Sequence, residues 1–304
     1  MSTNACRYLQ LDVFSQRAGC GNPLGVVFGA DDWSTQRMQG FARWANLVET
    51  TFVLPATESG ASYRLRIFTP SREIAFAGHP SIGSAFAALS TGFCAASDGR
   101  LIQQCDAGLL PIMVEGSPEC PMLSVAAPAA RVEQATGADM LEVARILDGL
   151  TPGSLPPGLV SGGRRWWLAE LADERQLRAW NAPVADIAAL AKRSDTLGLC
   201  LFARSSDPAF ELVVRAFPAG AGIVEDPASG AANALIAAYI ASLEPKGALS
   251  RGYRVSQGRE LGRDALLTLR IEADNRVWVG GHCALVIDGK TWWPQASQGF
   301  KQFT

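Results

Sequence analysis

Three residues of this 304-residue sequence have the type and setting that proton transfer needs, and two of them sit in the same local pattern. The first half contains RIFTPSREIAFAGHPSIGSAFAAL and the second RAFPAGAGIVEDPASGAANALIAAY. Both open on Arg-x-Phe (Arg66 and Phe68; Arg215 and Phe217) and run through a loop to a polar residue and a proline. Both then reach a glycine, a small residue and an alanine, as His79-Pro80…Gly83-Ser84-Ala85 and Asp226-Pro227…Gly230-Ala231-Ala232, and end in an Ala-rich apolar helix. Proline suits the first helical position because its missing N–H needs no partner there. The pattern therefore predicts His79 and Asp226 at or near N-caps, side chains facing outward. Small residues at Gly78–Ser81 and Gly230–Ala232 would let a ligand approach first-turn N–H groups, the positive end of the helix dipole. Gly78, Ser81, Gly230 and Ala231 are thus candidates for holding a carboxylate. Two such helix starts facing across a cleft would grip a small anionic substrate, with His79 and Asp226 placed for proton transfer at its centre. Singly, each residue has a plainer reading: an N-cap Asp stabilises a helix by about 1 kcal/mol, and a lone histidine is commonly structural. Equivalent placement in two copies shifts the balance to function.

Glu49 is the third candidate. It lies between WANL and TFVL, and a carboxylate among apolar neighbours can have its pKa raised toward general acid/base use. Taken alone it reads first as a solvated loop glutamate. His282, the other of the two histidines, sits in VGGHCALVI and reads as structural.

Cofactor chemistry finds little support. GAGIVE at 220–225 has two glycines of GxGxxG but Glu225 at the third, and no GxxxxGK[ST] occurs. The four lysines lie outside every motif, and no HxxxH or clustered His/Cys/carboxylate set supplies a metal site. Proton transfer without cofactor or metal is the chemistry left.

The elements that must position these residues follow from periodicity. Leu9, Leu11 and Val13 alternate with Tyr8, Gln10 and Asp12, a half-buried strand. Strands are expected over 24–28, 51–54, 62–68, 109–115 and 121–126. Helices are expected after Ser34 as N-cap, with Met38, Phe41, Ala42 and Ala45 at helical spacing, and over 80–89. After the Pro- and Gly-rich stretch 151–163, strands are expected over 165–171, 197–203, 210–217, 253–257, 265–272, 277–280 and 283–287, with helices over 183–192 and 230–243. The mixture lacks βαβ alternation, which makes the fold α+β. The internal similarity predicts two copies of one plan, 1–128 and 129–304, the last residues packing back on the first half.

Composition narrows the rest. At 48% hydrophobic, 18% charged and net charge −2, the chain is globular and has no global field for nucleic acid or anionic lipid. The stretch 230–243 is too short to span a bilayer, and the opening residues do not read as a secretory signal. Seven cysteines, odd in number and widely spaced, read as thiols of a reducing compartment, so the cytoplasm is expected.

At these motifs the sequence resembles the phenazine-biosynthesis PhzF-like family, within the diaminopimelate epimerase fold. The stretches that carry the resemblance are DVFSQRAGCGNPLGVVF, MQGFARWANLVETTFVLP, RIFTPSREIAFAGHPSIGSA, EDPASGAANA and, more weakly, VSQGRELGR followed by VWVGG. It implies two pseudo-symmetric halves, each a mixed β-sheet wrapped around a central helix, an isomerase activity, and a homodimer. Residue by residue, it makes Glu49 of ETTF the acid/base, His79 of GHP and Asp226 of EDP its partners, and Asn22 of GNP a substrate contact. The family's usual EDPATGSA reads EDPASGAA here, so Ala231 stands where the family has a serine. Loss of that hydroxyl bears on the substrate more than on the reaction class. An epimerase or racemase with two opposed bases, and a non-catalytic binding relative, remain as alternatives.

Overall fold

The computed structural model describes residues 5–294. It divides into two compact units, one of residues 5–125 with 282–294 and one of residues 126–281.

In the first unit, β1 (Cys6–Val13) buries Leu9, Leu11 and Val13 as the alternation predicts. β2 (Asn22–Phe28) follows, then α1 (Thr35–Ala45), where the Ser34 side chain accepts the Arg37 N–H and Asn46 ends the helix in the left-handed region. Next come β3 (Thr50–Leu54), β4 (Tyr63–Phe68), the short β5 (Glu73–Ile74), α2 (Gly78–Ser90), β6 (Arg100–Cys105), β7 (Gly108–Ser117) and β8 (Cys120–Ala126). α2 is apolar on all sides and touches seven strands, so the sheet wraps around it. Gly83 permits the close approach. A Cβ there would fall 2.5 Å from Leu24 Cδ2 and 2.7 Å from Val13 Cγ2.

The second unit runs β9 (Arg131–Glu133), α3 (Gly137–Ile146), β10 (Gly158–Gly162), β11 (Arg164–Leu171), α4 (Glu174–Ala179), α5 (Val184–Ser194), β12 (Leu199–Arg204), β13 (Leu212–Phe217), α6 (Gly230–Leu243), β14 (Gly252–Gln257), β15 (Ala265–Ile271) and β16 (Val277–Gly281). α6 is its buried apolar helix, against β10, β11, β15 and β16. α3 and α5 lie over a separate cluster around Trp167, Leu201 and Phe217.

The strand that follows the second unit, β17 (Cys283–Thr291), belongs to the first and pairs antiparallel with β1. The first sheet then reads β17-β1-β2-β3-β4-β6-β7-β8, with neighbours antiparallel, antiparallel, parallel, antiparallel, parallel, antiparallel, antiparallel. The second reads β9 through β16 with the same succession. Two mixed eight-stranded sheets with one pairing plan make the α+β fold a repeated one. Residues beyond 294, part of the expected packing-back, lie outside the described residues. The sequence reading lacked β5, β6, β9, α3 and α4, and took 158–162 as part of a Pro/Gly connection where β10 forms.

Candidate active site

Glu49 immediately precedes β3, an inner strand that β2 and β4 hold from both sides starting at the next residue, Thr50. His79 is the second residue of α2. The structure brings the two together: His79 Nδ1 lies 3.2 Å from Glu49 Oε2, the side chains 7% and 13% exposed. A protonated imidazole at that distance would form an ion pair. Burial prevents this, pushing the His79 pKa down to about 4, while the Pro23 carbonyl facing the ring pulls weakly the other way. The contact is therefore between a neutral imidazole and a carboxyl group. His79 Nε2, also buried, makes no well-formed hydrogen bond among the described residues. A neutral imidazole holds one N–H and one acceptor, the equipment for relaying a proton to or from the carboxyl beside it.

Both residues stand near a helix start, as expected, and the structure corrects the outward-facing expectation for His79. His79 is neither an N-cap nor outward-facing: the cap position is Ala77, and the ring is buried in the first turn. The helix begins two residues ahead of Pro80, which is tolerated there because first-turn N–H groups have no intrahelical partner anyway. Asp226 is not an N-cap either. That role falls to Ser229, whose Oγ accepts the Ala232 N–H at 3.3 Å. α6 starts at the residue that matches Gly83 of α2, so the stretch that forms the first turn of α2 is a non-helical turn in the second unit. Asp226 sits in that turn, half-buried; its Oδ1 accepts the Ala228 N–H at 3.1 Å and its own N–H donates to the Ala216 carbonyl at 2.9 Å.

The other candidates fall around these positions. Asn22 opens β2, buried, opposite Val13 of β1. Gly78 is the first residue of α2. Ser81 is fully buried, and its hydroxyl donates to the Ala77 carbonyl at 2.9 Å and accepts from Gln103 Nε2 at 3.0 Å, so it braces the first turn. Gly230 and Ala231 are the first two residues of α6, Gly230 buried and Ala231 exposed.

Support residues were less visible in the sequence. The Arg-x-Phe motif announced Arg66 and Arg215 but not their partners. Arg66 grips Glu73 through two hydrogen bonds of 2.7 Å, and Arg215 grips Glu225 at 2.9 and 2.8 Å. Each guanidinium also lies over the phenylalanine two residues on, at 5.2 and 5.1 Å. The glutamates occupy different places in their loops, so no repeat comparison finds them; only the folded loops do. Gln103 and Gln257, which brace the two turns, carried one weak signal, the QG of VSQGRELGR.

The double-wrapped α+β fold is the one found in solved PhzF-family and epimerase proteins, and the relatives of this chain that carry an activity name are isomerases. The chain belongs to the phenazine biosynthesis-like (PhzC-PhzF) family, whose model matches residues 11–289. It is 34% identical to antisense-enhancing sequence 1 of Schizosaccharomyces pombe, over 93% of this chain and 98% of that one. It is 31% identical to the trans-2,3-dihydro-3-hydroxyanthranilate isomerase of Pseudomonas aeruginosa, over 94% and 99%. The crystal structure of a PhzF-family phenazine biosynthesis protein from Bacillus anthracis, 23% identical, shares its fold with a TM-score of 0.82 across 95% of this chain and 99% of that one.

Proposed function

We propose that this protein is a cofactor-independent isomerase that moves a proton within a small carboxylated, cyclic substrate. The carrying observation is the buried Glu49–His79 contact at 3.2 Å, with the imidazole neutral. An isomerisation has no net proton, so what leaves one carbon must return to another. A single carboxyl that takes the proton as a base and gives it back as an acid satisfies that balance. Glu49 is assigned this role; His79 and Asp226 orient the substrate and assist the transfer. The first turns of α2 and α6 supply N–H groups for its carboxylate. The name of the Pseudomonas aeruginosa relative supports a cyclic hydroxy-amino acid of the dihydroanthranilate type.

Ala231 favours a second reading on substrate. It is exposed on the first turn of α6, where the family pattern places a hydroxyl, so the natural substrate would make one polar contact fewer there.

The test is incubation with trans-2,3-dihydro-3-hydroxyanthranilate in D2O, following product and deuterium by NMR. The wild type is expected to incorporate solvent deuterium, and Glu49→Gln to lose about 10²–10⁴ of the rate with binding retained. Near-wild-type exchange in Glu49→Gln, with loss in Asp226→Asn, would reverse the roles. Binding without exchange across cyclic and amino-acid carboxylates would make the protein a non-catalytic relative.

A further inference from the structure

One side chain outside the two helix starts makes three hydrogen bonds to the turn that carries Asp226 and to the helix behind it. Gln257 closes β14 and is buried. Its Nε2 donates to the Asp226 carbonyl at 2.8 Å; its Oε1 accepts the Ser229 N–H at 3.2 Å and the Asn233 Nδ2–H at 2.8 Å. Asn233 Nδ2 also donates to the Ser229 carbonyl at 2.9 Å, so the cap residue of α6 is held through both its backbone groups. The following Gly258 has φ +93°, and a Cβ on it would lie 2.5 Å from the Pro227 carbonyl oxygen. The end of β14 thus presses on the 226–229 turn with two consecutive residues.

These bonds touch the backbone of Asp226, leaving its carboxylate to other partners. A non-helical turn gives its carbonyls and N–H groups no regular mates, and burying them unpaired is costly. The Gln257 amide is the mate supplied here, with its donor and its acceptor both used. The first unit has a counterpart. β6 stands to β4 as β14 stands to β13, a parallel neighbour of the strand ending in Arg-x-Phe. From β6, Gln103 accepts from Tyr63 Oη at 3.1 Å and donates to Ser81, which in turn holds Ala77 ahead of His79. Each unit therefore sends a buried glutamine from the same strand to brace the turn carrying its proposed functional side chain.

We propose that Gln257 is a positioning residue, fixing the Asp226 turn so that the carboxylate stands in one place during proton transfer. This rests on the reading of Asp226 as a participant in that transfer.

The test uses Gln257→Glu and Gln257→Leu in the full-length chain. A protonated glutamic acid copies the amide, with an O–H donor for the Asp226 carbonyl and an acceptor for Ser229 and Asn233. Ionised, it loses the donor and sets a negative oxygen against a carbonyl. Gln257→Glu should therefore match wild type at low pH and fail as pH rises through the new carboxyl's pKa. Two ratios to wild type, taken at each pH, read this. Exchange of the Asp226 amide, which donates from the same turn to the Ala216 carbonyl, should accelerate about tenfold or more at high pH, as the turn loses the donor that holds its carbonyl. The kcat for deuterium incorporation into trans-2,3-dihydro-3-hydroxyanthranilate should fall by about tenfold with KM changed little, as expected for an effect on the reacting state. Gln257→Leu should show both effects at every pH; should it fail to fold, the pH titration of Gln257→Glu decides alone. Ratios within about twofold across the range, or a loss of global stability with no pH-dependent fall in kcat, would overturn the proposal. If Gln257→Glu loosens the Asp226 turn as expected while Asp226→Asn keeps wild-type deuterium incorporation, the role assigned to Asp226 is what fails.

Discussion

Burial costs the His79 imidazolium more than its polar neighbours return, and this sets both the chemistry of the ring and its effect on stability. The unfolded chain holds the ring at its ordinary pKa of 6.5, and the fold lowers it to about 4. Between those values the unfolded state binds a proton that the folded state refuses. Stability from this residue is complete above pH 6.5, is lost as pH falls through the window, and is level below about 4; the full difference is about 3 kcal/mol at most. Urea denaturation at several pH values from 7 to 4 should show wild type losing more stability on acidification than His79→Asn does. Parallel curves for the two would mean the ring is not kept neutral by burial. At this scale the sequence told a good deal: the duplicated pattern marked His79 and Asp226, and the family resemblance marked Glu49. It also made His79 a partner of Glu49, and their 3.2 Å contact agrees; it did not tell which atoms meet, because that depends on how β3 and α2 lie in the sheet. Nor did it tell that the helix starts differ, since a matched Pro and Gly are compatible with a first turn that is wound or unwound.

Elements with a strong period or a cap were legible. α6 runs Gly230–Leu243 as its apolar stretch predicts, and α1 starts on the Ser34 cap. α3 also had a signal, Thr136 capping the Asp139 N–H ahead of Met140, Val143 and Ile146. β10 did not: five residues that begin and end with glycine, just after Pro156 and Pro157, have too little pattern for a strand until β9 and β11 pair with them. The end of β14 is an element whose sequence, Gln257-Gly258, makes sense only against the turn it meets. Gly258→Ala should cost about 1–3 kcal/mol, from a disfavoured φ and a Cβ forced onto the Pro227 carbonyl. Gly262→Ala is the comparison. It has φ +71° but nothing within 4 Å of its Cβ, so it should cost only the conformational part, about 1 kcal/mol. Thermal unfolding of the two variants separates the clash from the strain; equal shifts in Tm would show that β14 is not tight against the Asp226 turn. Ser229→Ala should similarly lower stability by about 1 kcal/mol through loss of the α6 cap, while Ser229→Thr, which keeps the hydroxyl, should be nearly neutral.

For the whole chain, duplication was readable from one repeated motif, and the matching succession of strand pairings in the two sheets bears out a common plan. Which strand completes which sheet was harder to read, because β-pairing over long separations leaves no local mark. The second sheet begins with β9, directly ahead of β10. In the first, the place of β9 is taken by β17, which arrives only after the entire second unit. It pairs with β1 from Cys6 opposite Thr291 to Val13 opposite Cys283, with a bulge between Gln10 and Leu11. Arg7 reinforces the pair by gripping the Asp288 carboxylate at 3.0 and 2.8 Å, a small contribution because solvent screens the pair. Deleting residues 282–304 would therefore leave the second sheet its full set of strands and strip β1 of its outer neighbour. Native-state hydrogen exchange should show the consequence by position. Amides of β12 and β13 should keep their protection, whereas those of β1 that face β17 should exchange at rates near those of an open edge, since a ladder bond removed leaves its N–H to water. Loss of protection should then spread to β2 more weakly, because β2 keeps its parallel partner β3. Equal protection of β1 in the full and shortened chains would mean that β17 covers the first sheet without holding it.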